Sequence, residues 1–169
     1  MAKHTGFTLI EMIAVLLIVA VVATVSGMAI VTGIKGYLFA TDNASISQKA
    51  QMALTRINRE LMELVDVTSA EQSRVTYRRL DDTRTTLYFS DTDDTVNIVS
   101  GENPSGGDTL VDRVGLFQLT YYKGQNPWVA GTDDVRDLST IEIELHLERF
   151  EGNRSVTFTT RISPRNNKK

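Results

Sequence analysis

The sequence predicts an α+β fold in which one long N-terminal helix packs against an antiparallel β-sheet. Three observations support this prediction. Residues 12–34 form a run of 23 uncharged, mostly apolar positions. An apolar stripe at helical spacing follows the run, and beyond residue 67 the apolar period changes from 3.6 toward 2. A helix with an apolar stripe needs a cover, and the downstream strands are the candidates for it.

The first element is a candidate membrane segment. As a helix, residues 12–34 measure about 35 Å, which matches the roughly 30 Å hydrocarbon core of a bilayer. The run is too long for the 7 to 15 apolar residues of a secretory signal, so hydropathy alone indicates an uncleaved signal anchor. Lys3 lies on the short side of the run, which places the N-terminus in the cytoplasm and the remainder outside.

Glu11 is the unexpected residue at the start of this segment. No other charge follows it before Lys35. A carboxylate in or beside a membrane-spanning helix costs roughly 2.5–3.5 kcal/mol on insertion scales. The ordinary interpretation is a carboxylate that reaches the membrane surface, and the alternative is a functional charge.

The second half of the helix carries the apolar stripe. Its members recur every three or four residues: Ile46, Ala50, Ala53, Ile57, Leu61 and Leu64. The charged residues Lys49, Arg56, Arg59, Glu60 and Glu63 are assigned to the other faces. We expect one helix from about Phe7 to Val65, near 90 Å long, loosened at residues 41–45. Gly27, Gly33 and Gly36 are its other weak points, since no proline occurs before Pro104.

The pattern of the residues after the helix predicts short strands and two long loops. Strands are predicted at residues 74–80, 85–90, 95–99, 114–123, 139–150 and 154–162, with a turn at 151–153. Residues 101–108 and 124–137 are the loops, because they are rich in Gly, Pro, Asn and Asp. Residues 139–150 are the clearest strand, since Ile141, Ile143, Leu145 and Leu147 alternate with polar residues. Phe117, Leu119 and Tyr121 are expected on one face of their strand.

The composition gives no sign of an enzyme or of a nucleic-acid-binding protein. The net charge is −3 with both signs interspersed, so nucleic acid is not indicated as a partner. The chain has no cysteine, which removes disulfides, thiolate zinc sites and thiol nucleophiles. Of its two histidines, His4 lies near the N-terminus and His146 on a polar strand face. We therefore expect no catalytic residues.

The loops offer two weaker candidates for binding. The acidic residues 90–97 contain several carboxylates, but they lack the glycine and terminal glutamate of an EF-hand. Asp133 and Asp134 form a second acidic pair. We expect solvated acids and neither a cofactor nor a metal, with structural calcium as the alternative. Trp128 is expected either to be exposed on its loop or to pack within it, and a contact with another subunit or a surface at the tip of the domain is the alternative.

The first residues resemble a known processing signal. Lys3, Gly6, Phe7, Thr8, Leu9, Ile10 and Glu11, containing "GFTLIE", are similar to the class III signal of type IV prepilins and type II secretion pseudopilins. The resemblance implies that a prepilin peptidase/methyltransferase cleaves between Gly6 and Phe7 and methylates the new amine of Phe7. The chain would then comprise a cleaved leader (residues 1–6), a transmembrane and assembly helix half (7–34) and an extracytoplasmic pilin-like domain (35–169).

The same resemblance implies a role for Glu11. In the family, this glutamate is thought to meet the positive N-terminal amine of a neighbouring subunit. A buried ion pair must recover the desolvation of both charges, so it is satisfied in one register and unfavourable in others. Glu11 is therefore expected to dock subunits in register. The alternative is a carboxylate that snorkels to the membrane surface and has no docking role.

A softer resemblance extends over the rest of the chain. "ALTRINRELMEL", "LVDRVGLFQLTYYKGQNPW", "LSTIEIELHLE" and "ISPRN" are similar to minor pilins and J-type pseudopilins. This implies a structural minor subunit that resides in membrane lipid of the bacterial inner membrane before assembly. Its partners would be other pilin or pseudopilin subunits and the inner-membrane assembly platform. A fibre-tip subunit for adhesion or DNA uptake is the alternative, and the kind of fibre stays open.

Overall fold

One α-helix, one short 3₁₀ helix (Val135–Asp137) and nine strands make up the fold, in a computed structural model that describes residues 6–149 and 155–164. Helix α1 spans Leu9–Met62. The strands are β1 (Leu64–Ala70), β2 (Arg74–Arg79), β3 (Arg84–Ser90), β4 (Thr95–Ser100), β5 (Asp108–Val111), β6 (Val114–Lys123), β7 (Asn126–Pro127), β8 (Thr140–Glu148) and β9 (Ser155–Ile162). The predicted turn at 151–153 lies outside the described residues. The chain divides into two compact units between Asp42 and Asn43.

The N-terminal unit is helical throughout its described part from Leu9 onward. Helix α1 continues without a break through its three glycines and through residues 41–45, so the predicted loosening there is wrong. All side chains from Gly6 to Thr41 are exposed. The hydroxyls of Thr24, Thr32 and Thr41 each donate to a carbonyl four residues earlier, at 2.8–2.9 Å. Each threonine thereby satisfies its hydroxyl within its own helix.

The larger unit contains two antiparallel sheets, whereas the sequence suggested one. The first sheet has the order β1-β2-β3-β4-β5 and the second β7-β6-β8-β9. The chain changes sheet at Arg113, whose φ of 57° is in the left-handed region. The Val114 amide then donates to the Asp94 carbonyl at 2.9 Å, and β6 pairs with β8 instead of β5.

The sequence missed three strands, β1, β5 and β7. Strand β1 begins at Leu64, the last residue of the predicted apolar stripe, so this residue belongs to the sheet and not to the helix. The helix ends at Met62, three residues before the predicted Val65. Strands β5 and β7 have four and two residues, too few to show an apolar period.

A single apolar core joins the helix stripe to the sheets. All six stripe residues, from Ile46 to Leu64, are at most 3 % exposed. Phe117, Leu119 and Tyr121 are buried in the same core, as predicted, together with the four alternating apolar residues of β8. The Lys49 ammonium donates to the Asp112 carboxylate at 2.6 Å. This bond holds the pKa of the Asp112 carboxyl below its ordinary value.

Glu60 departs from the predicted pattern because it is buried and not on an outer helix face. Only 4 % of it is exposed. Its carboxylate lies 3.0 Å from the guanidinium of Arg56, one helical turn away, and 3.0 Å from that of Arg79 on β2. Arg79 also bonds Glu63 at 2.6 Å. The ion pairs therefore tie the end of α1 to the first sheet.

We expect Glu60→Ala to destabilise the protein by roughly 2 kcal/mol, because it leaves Arg79 partly buried without its inner carboxylate. The matched control is Glu63→Ala, which removes the half-exposed partner of the same arginine and should cost less than about 1 kcal/mol. Urea unfolding of the full chain in detergent, followed by fluorescence of the single tryptophan, measures both. Equal losses for the two variants would contradict the role assigned to Glu60.

Two buried tyrosines should make the fold sensitive to alkali. Burial raises the pKa of the Tyr77 and Tyr121 hydroxyls well above the ordinary value, and the nearby Glu60 charge raises that of Tyr77 further. A pKa raised on folding means that the neutral forms stabilise the fold below about pH 10, and that this stability is lost as the pH rises further. The melting temperature of the wild type should fall above pH 10.

Tyr77→Phe should retain more of that stability, since Phe cannot ionise. Tyr77 suits this test because its hydroxyl forms no hydrogen bond among the described residues. The melting temperature at pH 7 should therefore change little. Identical pH profiles for Tyr77→Phe and the wild type, measured between pH 9 and 11.5, would show that Tyr77 ionisation does not limit stability.

Candidate functional site

The candidate site is the beginning of helix α1, and Thr8 determines where the helix starts. Thr8 immediately precedes the first helical residue, Leu9. Its side-chain oxygen accepts a hydrogen bond from the Glu11 amide at 3.3 Å, and its carbonyl accepts one from the Met12 amide at 3.2 Å. Threonine is a favoured N-cap residue, and a glutamate three residues later has the spacing of a capping box. Two residues of the "GFTLIE" segment thus begin the helix.

Glu11 lies in the first turn of the helix, where its charge is locally favourable. The unpaired N–H groups at a helix N-terminus favour a carboxylate by about 0.3–1 kcal/mol. The local gain is smaller than the roughly 2.5–3.5 kcal/mol that an unpaired carboxylate costs in a membrane. The helix N-terminus therefore stabilises a carboxylate at this position, but by less than the free-energy cost of burying that carboxylate in lipid.

The surroundings of Glu11 are apolar and open. Phe7, Leu9 and Ile10 are 76–80 % exposed. The next basic residue along α1 is Lys35, about 36 Å farther along a helix. Within the described part of the N-terminal unit, no cation lies close enough to pair with Glu11. A positive partner for Glu11 in an apolar medium must therefore come from outside this segment.

Gly6 and Phe7 precede the helix in an accessible stretch. Both are exposed and non-helical. A Cβ built on Gly6 meets no atom within 4 Å, so apart from its chain neighbours no described residue crowds this position. Lys3, the leader charge, lies outside the described residues. The structure therefore brings Gly6, Phe7, Thr8 and Glu11 into one exposed segment at the start of the helix.

Asp133, in the second acidic pair, is engaged in local contacts. The Asp133 carboxylate is bonded by the Lys123 ammonium and accepts from the Val129 amide at 2.8 Å. Both bonds hold the pKa of the Asp133 carboxyl below its ordinary value. In residues 6–149 and 155–164, no three acidic or histidine side chains are grouped so as to hold a metal ion. His146 lies on the outer sheet face, 2.8 Å from Glu144.

Trp128 is a packing residue of its loop. Only 5 % of it is exposed, and its ring centroid lies 6.0 Å from that of Tyr121. The indole N–H donates to the Asp134 carbonyl at 2.9 Å. The packing alternative is therefore confirmed, and the contact at the tip of the domain is wrong for this side chain.

The helix that carries the candidate site could span a membrane, and the start of the sequence matches a family model. In the described chain, α1 is the one helix long and apolar enough to cross a membrane, and none of its most apolar window is buried. The family model described as the prokaryotic N-terminal methylation motif matches residues 1–27. The matched stretch includes Gly6, Phe7, Thr8 and Glu11. No curated protein matches the sequence.

Proposed function

Because the chain is a type IV prepilin-like protein, we propose that it is a structural minor subunit of a type IV pilus or a type II secretion pseudopilus. The observation that carries the proposal is the methylation motif at the start of an exposed apolar helix with a single early charge, Glu11. A prepilin peptidase/methyltransferase removes residues 1–6 and methylates Phe7. Residues 7–34 then hold the subunit in the inner membrane until it joins the fibre.

In this proposal, docking depends on an ion pair between two charges that belong to neighbouring subunits. Cleavage creates a positive amine on Phe7, four residues before Glu11. In lipid or in a helix bundle, each charge alone is unfavourable, and a pair formed between neighbouring subunits relieves both. Apolar contacts along α1 can form at many axial offsets between two subunits, whereas the ion pair can form at only one. Glu11 therefore sets the register, and the apolar helix supplies the contact area.

The domain of residues 35–169 is the extracytoplasmic part, carried outside by the anchored helix. Other pilin or pseudopilin subunits and the inner-membrane assembly platform are its partners. The proposal requires no cofactor and no catalytic residue. A fibre-tip binding role gains no support from Trp128, because that side chain is buried in its own loop.

The first test of the function is processing. The mature chain purified from a host with the peptidase should begin at N-methyl-Phe7, as determined by intact mass. Gly6→Val should block cleavage, because it places a branched side chain beside the scissile bond. The matched control is Gly27→Val, since a Cβ at Gly27 also meets no atom within 4 Å. A mature wild-type chain that still carries residues 1–6 would contradict the proposal.

The second test concerns Glu11. Glu11→Leu should leave membrane insertion and cleavage intact and should sharply reduce incorporation into the fibre, measured by co-purification with other subunits. Glu11→Gln should be intermediate, because an amide oxygen accepts a hydrogen bond from the amine but carries no charge.

Thr8→Val separates docking from helix capping. It removes the capping oxygen at a cost of about 1 kcal/mol and leaves the Glu11 carboxylate in place. If Glu11 acts by docking, Thr8→Val is incorporated much better than Glu11→Leu. Equal incorporation of the two variants would assign the effect to the start of the helix, and full incorporation of Glu11→Leu would exclude docking.

A further inference from the structure

The two sheets have four edge strands, and β9 differs from the other three. Strand β5 has four residues and β7 has two. Strand β1 is interrupted by two register shifts in its pairing with β2. Strand β9 has eight residues, all paired with β8 without a shift. Short length and bulges are two devices by which proteins prevent an edge from pairing with another chain, and β9 has neither.

The side chains of β9 also leave its edge open. The strand contains no proline and no lysine, and its inward residues are Val156, Phe158, Thr160 and Ile162. An inward-pointing charge is a third protective device, and β9 has none. Among the described strands, none pairs with the outer side of β9. Its outward backbone N–H and C=O groups form a regular row.

The core beneath β9 is incompletely covered. Val156 and Phe158 pack against the core but are only half-buried. Their partners on β8, Leu147 and Leu145, are at most 1 % exposed. Burial therefore falls off at the edge itself. A further strand with apolar side chains on the inner face would complete the cover.

The outer face beside this edge is acidic. Strand β8 carries Glu142, Glu144 and Glu148 there, next to the short side chains of β9. Arg161 bonds Glu142 at 2.5 Å, and His146 lies 2.8 Å from Glu144. Glu148 is exposed and has only Ser155 opposite it on β9. Long cationic side chains on an added strand would extend over Ser155 and Thr157 toward these carboxylates.

We propose that β9 is an interface for strand addition, and that its occupant is an extended segment of a different fibre subunit. The segment has apolar side chains facing the core and basic side chains facing the acidic row of β8. Main-chain hydrogen bonds supply the affinity, and the alternating side chains supply the specificity. This inference rests on the proposed function, because it names the surface through which one subunit partner binds.

A second copy of this chain does not fit the role within a fibre. Antiparallel pairing of β9 with β9 uses the same edge on both copies, which is an isologous contact that closes as a dimer. Contacts that propagate a helical fibre are heterologous. Parallel pairing of the same two edges places their apolar rows on opposite faces of the joined sheet. Pairing of β9 with β9 therefore cannot propagate a fibre, and the occupant that we propose is a segment of a different chain.

Proline substitutions in the full chain test the interface directly. Successive residues of an antiparallel strand direct their N–H groups alternately at the neighbouring strand and away from it. One of Thr159→Pro and Thr160→Pro therefore removes an N–H from the open edge while keeping the bonds to β8, and an unchanged melting temperature identifies it. The control is Thr68→Pro, at the exposed residue that a register shift leaves unpaired on β1.

The edge-blocking proline should lower incorporation into the fibre about tenfold, equivalent to about 1.4 kcal/mol of binding free energy, whereas the Thr68 control should not. Thr157→Lys with Thr159→Lys tests the charge argument at two exposed positions, and so does not depend on tolerance of proline. The lysines should repel a basic strand and lower incorporation, whereas the paired change to Glu should not.

Wild-type incorporation of both the proline and the lysine variants would overturn the inference. Disulfide-linked homodimers of Thr159→Cys in assembled fibres would also overturn it, by assigning the edge to a second copy. This substitution is informative because the chain has no other cysteine. The proposed function fails in a different way, through lack of Phe7 processing or lack of wild-type incorporation, so the two failures are distinguishable.

Discussion

One constraint underlies the whole molecule: helix α1 must be covered in two different ways along its length. From Gly6 to Thr41, every side chain is exposed in the isolated chain, and the cover must come from lipid or from other helices. From Ile46 onward, a narrow apolar stripe is covered by the chain's own sheets. A single early carboxylate, Glu11, interrupts the first region. These three properties are what the proposed function requires of one helix that both anchors a subunit and positions it among its neighbours.

The polar groups of the helix follow the same division. In the N-terminal unit, threonine hydroxyls donate to carbonyls of their own turn, so they need no outside partner. Glu11 has no such solution in the described part of that unit. In the larger unit, a buried carboxylate also occurs, at Glu60, but Arg56 and Arg79 neutralise it within the chain. Glu60 is therefore satisfied by folding, whereas under the proposed function Glu11 finds its partner only in the assembled fibre.

The sequence predicted the elements whose patterns are long, and it pointed to the candidate site through a local signal. The helix, its stripe and strand β8 follow from periodicity, and Gly6, Phe7 and Glu11 from one short motif. The second sheet was missed because it depends on the backbone angle of Arg113, which no side-chain period records. The prediction that Glu60 lies on an outer helix face was wrong because its burial depends on Arg79, which lies on β2 and approaches Glu60 only in the folded chain. The Thr8 cap could have been predicted from its spacing to Glu11. The open edge of β9 could be identified only once the order of the strands was known.

The measurement that tests the two-part helix most directly is labelling with a membrane-impermeant maleimide in vesicles opened to both faces. Because the chain has no cysteine, Val22→Cys and Gln51→Cys each report one position. Both side chains are exposed in the isolated subunit. Gln51→Cys should react, whereas Val22→Cys should react only after detergent dissolves the membrane. Equal labelling of both positions in intact bilayers would contradict the two-part helix.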